Sequence, residues 1–111
     1  MAKAKSAQFP YPFDHVFDAV TVALQRVKWK VKSSDRTLGY FRAKVGVNFW
    51  TWGEDLSINL DRVSSNATLV RVQGKAPYQL FDWGRTGRDI DKFMMQLERV
   101  LRESTMTKQT G

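Results

Sequence analysis

Positions 88–102 read Arg-Asp-Ile-Asp-Lys-Phe-Met-Met-Gln-Leu-Glu-Arg-Val-Leu-Arg, and this stretch decides the fold class. Its apolar residues recur every three or four positions, which is the spacing of one face of an α-helix. The charged residues between them fall on the opposite face. The pattern therefore predicts a long amphipathic helix, over about 86–103, that buries one face. The predicted buried residues are Ile90, Phe93, Met94, Leu97, Val100 and Leu101.

A second apolar stripe, nearer the amino terminus, predicts another helix. Phe17, Val20 and Leu24 follow one another at helical spacing and indicate a helix over roughly 14–27. Asp14 stands where an N-cap is expected, since its carboxylate can accept hydrogen bonds from the unpaired amides of the first turn. Before it, the sequence Phe9-Pro-Tyr-Pro predicts an extended segment over about 7–11, because proline restricts the residue that precedes it.

Between the two helices the apolar spacing changes to two residues, which is typical of strands with one buried face. Trp29 and Val31 alternate with lysines in the first such segment, over about 28–32, and a second covers about 38–46. Two more segments follow, and turns are predicted at Ser34-Asp-Arg-Thr and Ser64-Ser-Asn-Ala. The predicted inward-facing residues of the last three strands are Phe41, Ala43, Val45, Leu56, Ile58, Leu60, Val70 and Val72.

These elements predict an α+β fold with the order β-α-β-β-β-β-α. Two amphipathic helices need an apolar surface to cover, and an antiparallel sheet with one apolar face supplies it. We expect a sheet of about four or five strands with both helices on one face. The domain is expected over residues 7–103, with flexible tails at 1–6 and 104–111 that lack periodic apolar positions.

The composition excludes several kinds of chemistry. The 111 residues contain no cysteine, so disulfides, cysteine metal sites and a cysteine nucleophile are all excluded. His15 is the only histidine and stands at the start of a predicted helix, where we expect it to be solvated. No glycine-rich phosphate loop follows a predicted strand. We therefore expect a non-enzymatic protein with no metal and no cofactor.

The charge and hydropathy patterns indicate where the protein acts. The chain carries 18 Lys and Arg against 11 Asp and Glu, a formal net charge of +7 that favours anionic partners without identifying them. It has no signal-type apolar run and no stretch near the roughly 20 apolar residues that span a bilayer. We expect a cytoplasmic protein with no membrane partner.

Residues beside two Trp-Gly pairs form the first candidate site. Continuing the alternation from Val45 leaves Trp50 and Trp52 on the side of Arg42, as a stacking platform for a planar anionic ligand. The alternative is structural: glycine bulges reset the alternation, and the tryptophans are buried or contact a second subunit. This candidate interaction surface, called the tryptophan surface below, consists of Trp50, Trp52, Glu54, Asp82, Trp83 and Arg85.

The second candidate site is the sheet face that points away from the helices. Its predicted strands carry cations at alternating positions, which could bind phosphates through salt-sensitive contacts. The alternative is an ordinary solvated face, on which lysines also block edge-to-edge association of sheets. The candidate anion-binding residues are Lys28, Lys30, Lys32, Tyr40, Arg42, Lys44 and Arg71.

Three motifs resemble those of small uncharacterised prokaryotic domains with a helix-grip-like fold. They are Leu38-Gly-Tyr-Phe-Arg-Ala, Thr51-Trp-Gly-Glu and Phe81-Asp-Trp-Gly-Arg. Over about 7–101 the chain is also distantly similar to the helix-grip domains of the outer-membrane assembly lipoprotein BamC. The resemblance implies a helix-grip-like fold. It does not imply an envelope role, because this chain has no cysteine to carry a lipid.

The function we predict is a non-enzymatic binding or protein-interaction module, whose partner is an unidentified protein or a second copy of the chain. The first alternative is weak binding of nucleic acid or another polyanion by the Lys/Arg-rich sheet face. The second is a small apolar ligand held between helix and sheet, as the resemblance implies. Five large residues at that place predict a filled core instead, namely Phe41, Leu56, Ile58, Phe93 and Met94.

Overall fold

In a computed structural model of the chain, five antiparallel strands pack against two helices. The structure describes the backbone of residues 3–45, 54–75 and 83–110, and the side chains of residues 4–44, 55–74 and 88–104. The predicted element order and the α+β fold class are confirmed. The elements are β1 (Lys3–Phe9), α1 (Phe13–Arg26), β2 (Lys30–Asp35), β3 (Tyr40–Val45), β4 (Glu54–Ser64), β5 (Ala67–Lys75) and α2 (Trp83–Thr110).

The elements extend past the predicted domain bounds of 7 and 103, since β1 begins at Lys3 and α2 ends at Thr110. The mobility expected for residues 1–6 and 104–111 stays a prediction. Neither α1 nor the described part of α2 is both long and apolar enough to cross a membrane.

The strands lie in the order β1-β5-β4-β3-β2, so the first strand pairs with the last and β1 and β2 are the edges. The registers place buried side chains in line across the sheet, with Ala43 opposite Leu56 and Ile58 opposite Val72. The sheet therefore has one apolar face. That face buries seven of the predicted inward-facing residues, Phe41, Ala43, Leu56, Ile58, Leu60, Val70 and Val72, and the side chain of Val45 lies outside the described ones.

α2 buries the apolar stripe that the sequence predicts for it. Phe93 is fully buried and Ile90 is 1% exposed. Each large apolar side chain buried in this way stabilises the fold by roughly 1.5–3 kcal/mol. Lys5 of β1 forms an ion pair with Asp91 of α2. α2 therefore contacts an edge strand as well as α1.

The segment after α1 differs from the prediction. Lys28, expected in a strand, lies in a turn with a positive φ of 62°. Its amide donates to the Gln25 carbonyl at 3.2 Å, and the Trp29 amide donates to the Leu24 carbonyl at 3.1 Å. These two bonds form a Schellman motif, which ends a helix and usually has glycine where Lys28 stands. The turn, and not a strand, buries Trp29.

β2 lacks the apolar face that the alternation predicts. All six of its residues are exposed, including Val31 at 42%. Val31 lies opposite Ala43 on the apolar face. It is nevertheless exposed to solvent, because the helices do not cover this edge of the sheet. Lys32 lies in a β-bulge that shifts the register of β2 on β3. The strand continues through residues 34 and 35, so the turn lies at 36–39, two residues later than the predicted turn at 34–37.

α1 begins one residue before the predicted N-cap. Pro12 is the N-cap residue and makes no side-chain capping bond, so the prediction for Asp14 is wrong. Asp14 lies in the first turn, where its carboxylate accepts a 3.1 Å hydrogen bond from Arg36. Arg36 also donates to Asp18 at 2.6 Å, and its guanidinium lies 4.4 Å from the centre of the Phe17 ring. The hydrogen bonds to Asp18 and Asp14 raise the pKa of Arg36 and tie the β2–β3 turn to α1.

Gly39, at the end of that turn, has a positive φ of 66°. Its carbonyl accepts a 2.8 Å hydrogen bond from the Leu60 amide. A Cβ atom at this position would lie 2.5 Å from the Leu60 carbonyl oxygen and 2.9 Å from the Phe13 ring. Only glycine therefore fits at this approach of the turn to β4 and α1.

Gly39→Ala is expected to lower the free energy of unfolding by about 2–4 kcal/mol, because it adds left-handed backbone strain and a collision with a backbone oxygen. Urea unfolding followed by circular dichroism measures the loss. Leu38→Ala, one residue away at a side chain 74% exposed, is the matched control and should change this free energy by less than about 0.5 kcal/mol. A Gly39→Ala variant as stable as the control would contradict the close approach.

Lys28→Gly is expected to raise the free energy of unfolding by about 0.5–1 kcal/mol, since glycine removes left-handed strain at a smaller cost in chain entropy. Lys28→Ala removes the same charge but keeps the strain, so its stability should stay near that of the natural chain. Both are measured by urea unfolding. Equal stabilisation by the two variants would mean that charge repulsion, and not backbone strain, is the cause.

Candidate functional site

The tryptophan surface lies outside the part of the chain whose side chains are described. Three of its residues fall between the described ranges, and three belong to β4 or α2 by their backbone alone. The first three are Trp50, Trp52 and Asp82, and the others are Glu54, Trp83 and Arg85. The tryptophan surface therefore stays a prediction.

The second candidate site lies on the outer face, by which we mean the sheet face opposite the helices. Residues directly opposite each other in an antiparallel pair share a face. Lys30 of β2 lies opposite Lys44 of β3, and Tyr40 and Arg42 share that face of β3 by alternation. Arg71 lies on β5, with β4 between it and β3. The fold thus brings four predicted residues together at one side of the outer face, with Arg71 apart from them.

Two of the predicted anion-binding residues do not follow the strand alternation. Lys28 lies in the turn after α1, and Lys32 lies in the bulge of β2. Both side chains are exposed. A turn and a bulge each interrupt the two-residue alternation of a strand. Alternation therefore does not predict which face of the sheet a residue in a turn or a bulge lies on.

Aspartates on β4 balance part of the positive charge on the outer face. Arg42 Nη2 lies 4.0 Å from Asp55 Oδ2, and Arg71 Nη2 lies 3.6 Å from Asp61 Oδ2. Exposed pairs of this kind contribute about 0–1 kcal/mol. The two aspartates are not among the residues predicted for the candidate site. Their alternation in β4 is a signal that could have found them, because it places both on the outer face beside the cations.

Lys30 and Lys44 have no such partner among the described side chains. The two lysines lie directly opposite each other, and neither forms an ion pair with a described carboxylate. Directly opposed residues have Cβ atoms about 4.5–5.5 Å apart, and like charges at that spacing destabilise a sheet. On its other side Lys44 lies opposite Asp55 of β4, so two cations and one carboxylate stand in line across these three strands.

A small pocket opens on the outer face beside this pair, and we call it the β3–β4 pocket. It has a volume of 240 Å³ and is lined by Tyr40, Arg42, Asp55, Leu56 and Ser57. Asp55 Oδ1 is buried and accepts no hydrogen bond. A buried acceptor without a donor costs about 1–3 kcal/mol. The pocket therefore combines an exposed guanidinium with a carboxylate that lacks a hydrogen-bond donor.

His15, predicted to be solvated, is half-buried between two partners. Its ring stacks on Tyr11 with the centroids 5.3 Å apart, and its Nε2 lies 2.7 Å from Ser104 Oγ of α2. The histidine thus joins α1 to α2, which is a structural role. Within the described ranges, no three His, Asp or Glu side chains come together in a way that could hold a metal ion.

A second opening lies on the helix side, between the end of α1 and α2. It has a volume of 340 Å³, and Asp89 Oδ2 in its wall is buried without a hydrogen bond. Its other lining residues are Arg26, Val27, Trp29, Lys92, Met95 and Gln96. Between helices and sheet, the five residues that predict a filled core are all buried, namely Phe41, Leu56, Ile58, Phe93 and Met94.

Solved protein structures that are similar to this chain show its fold. No protein-family model matches the chain, and no curated protein matches its sequence. An uncharacterised protein of Bacillus thuringiensis has a TM-score of 0.62 at 9% identity, covering 96% of this chain and 99% of that one. The protein XoxI of Bacillus cereus has a TM-score of 0.64 at 11% identity, covering 97% of each chain.

A third similar structure is the Zhui aromatase/cyclase of Streptomyces sp. R1128, with a TM-score of 0.54 at 9% identity, covering 95% of this chain and 93% of that one. Likeness at such low identity shows the helix-grip-like fold alone. The predicted fold is therefore confirmed. The resemblance to the domains of BamC, and the one based on the Trp-Gly motifs, stay predictions.

Proposed function

We propose that the protein is a non-enzymatic binding module that holds an anionic ligand on the outer face of its sheet. The observation that carries the proposal is the Lys30–Lys44 pair, two opposed cations with no described carboxylate within ion-pair distance. A ligand-binding role is compatible with the helix-grip-like fold. The net charge of +7 supports the proposal further, because it attracts anions over a long range.

An anion between two opposed ammonium groups replaces repulsion with attraction. Two unit charges about 5 Å apart repel by about 0.8 kcal/mol in water and about 3 kcal/mol at the effective dielectric constant near a protein surface. Lysine stems diverge to reduce this repulsion, whereas a phosphate oxygen draws both ammonium groups inward. Arg42, whose side chain is 53% exposed, adds a third cation two residues before Lys44.

The described side chains favour binding without chemistry. General acid–base and nucleophilic catalysis need several convergent groups of suitable pKa. Within the described ranges, the single histidine is bonded to Ser104, and Asp55 and Asp61 each face an arginine. Such groups are suited to holding a ligand by charge and hydrogen bonds.

The double variant Lys30→Gln, Lys44→Gln is expected to weaken binding of inorganic tripolyphosphate by about tenfold or more, since each charged contact contributes roughly 1.5–3 kcal/mol. Isothermal titration calorimetry at low ionic strength measures the affinity. The natural chain should lose affinity as salt is added, and the double variant should lose less, because fewer counterion-dependent contacts remain.

The double variant Arg88→Gln, Lys92→Gln is the matched control, since both residues are exposed on α2 and their loss removes the same two charges far from the outer face. This control should retain the affinity of the natural chain. Equal losses of affinity in the control and in the Lys30→Gln, Lys44→Gln variant would overturn the proposal, because the binding would then follow net charge alone.

The double variant Trp50→Ala, Trp52→Ala separates this proposal from a site at the tryptophan surface. We expect unchanged tripolyphosphate affinity, because the lysine pair carries the binding. The same calorimetric titration measures it, with sedimentation velocity of both proteins as a second readout. A tenfold weaker affinity would place the anion site at the tryptophans, and a change in sedimentation alone would assign that surface to self-association.

A further inference from the structure

The β3–β4 pocket has polar groups of opposite character on its two sides. Arg42 lines it from β3, and Asp55 and Ser57 line it from β4, while Lys44 lies on β3 two residues after Arg42 and outside the lining. By register Lys44 lies opposite Asp55 and Arg42 lies opposite Ser57. A ligand in the pocket therefore meets hydrogen-bond donors and acceptors within two residues of each other.

Arg42 and Asp55 do not form a hydrogen bond with each other. Their nearest atoms are 4.0 Å apart, which is beyond hydrogen-bond distance. Both side chains are open to solvent, at 53% and 30% exposure. The guanidinium can thus donate to an incoming anion while the carboxylate stays available as an acceptor.

The Asp55 carboxylate defines the second requirement for the ligand. Its Oδ1 is buried and accepts no hydrogen bond, although Lys44 stands opposite it. Rotation about χ2 exchanges the two oxygens and is soft for aspartate. A hydroxyl or amine donor on a ligand can bond to the carboxylate oxygen that faces the pocket, whereas an anion carrying only acceptors would be repelled by it.

The size and lining of the pocket favour a small ligand with hydroxyl groups. Its 240 Å³ volume is below the range of about 300–1,000 Å³ typical of drug-sized ligands. Tyr40 supplies an aromatic ring, and the Ser57 hydroxyl both donates and accepts. These features suit a single sugar unit.

We propose that the β3–β4 pocket binds a sugar phosphate, with the phosphate at Arg42, Lys44 and Lys30 and the hydroxyls at Asp55 and Ser57. This inference rests on the proposed anion-binding function and names the chemical class of the ligand. The cations provide affinity for the phosphate. Asp55 provides the selectivity, because it repels anions that bring no donor.

The test compares three probes on the full chain by isothermal titration calorimetry: ribose 5-phosphate, inorganic phosphate and ribose. Ribose 5-phosphate is expected to bind at least tenfold more tightly than inorganic phosphate, and ribose more weakly than either. Equal affinity for the two phosphates would overturn the sugar assignment and leave the proposed anion-binding function standing. Binding of neither phosphate nor tripolyphosphate would overturn both.

Asp55→Asn gives a signature that a purely structural residue would not. The variant should bind inorganic phosphate more tightly, because a negative charge beside the anion is gone, and should lose most of the preference for ribose 5-phosphate. Arg42→Gln should weaken both phosphates by about tenfold. An Asp55→Asn variant that lowers both affinities equally, with an unchanged melting temperature, would overturn the role assigned to Asp55.

Arg102→Gln is the matched control for Arg42→Gln, because Arg102 is also exposed and also pairs with a carboxylate, Glu98, but lies on α2. It should leave both phosphate affinities unchanged. A single-stranded RNA oligonucleotide serves as the last probe. If it binds while ribose 5-phosphate does not, or if Arg71→Gln weakens binding as much as Arg42→Gln, the ligand is a polymer spread over the face and the proposal fails.

Discussion

The stacking of Trp29 on Phe93 is the contact on which the arrangement of the elements depends. The ring centroids are 5.1 Å apart, and the two side chains are 7% and 0% exposed. Trp29 stands between α1 and β2, and Phe93 lies within α2, so one contact joins three elements. Burial of 150–250 Å² by an aromatic side chain contributes roughly 4–6 kcal/mol as an upper bound. Because β2 buries none of its own residues, Trp29 and the ladder to β3 hold that strand in place.

The same contact positions the cations of the outer face. The Schellman motif after α1 leaves only Lys28 between the helix C-cap and Trp29, so the tryptophan enters the core and β2 begins at the next residue. Successive residues of an extended chain point to opposite sides. With Trp29 directed inward, Lys30 is directed to the outer face, where the register sets it opposite Lys44. Burial on one side of the sheet thus determines charge placement on the other.

Periodicity predicted most of the fold because burial dominates there. Both helices and the strands β3, β4 and β5 have the apolar faces that their spacing indicates, and the described side chains of those faces are buried. The prediction failed where a local hydrogen bond or a sheet edge matters more than the spacing of apolar residues. Lys28 ends a helix and does not begin a strand, and Val31 is exposed at the edge of the sheet. Asp14 bonds to Arg36 and does not cap the helix. For the site, alternation placed the cations of β3 correctly. It did not pair Arg42 with Asp55, or Arg71 of β5 with Asp61, because cross-strand register depends on turns and bulges that composition does not reveal.

The competing explanation for the lysines is that they protect the edge of the sheet. The strand order determines which of the lysines this explanation covers. Lysines on an edge strand prevent association with another sheet, which accounts for Lys30 and Lys32 on β2. Lys44 is different, because β3 lies between β2 and β4 and has no free edge. A cation at that internal position has no part in edge protection, and it stands between a second lysine on β2 and Asp55 on β4. Edge protection would be achieved equally well with a neutral residue at 44, so it does not account for the positive charge at this position.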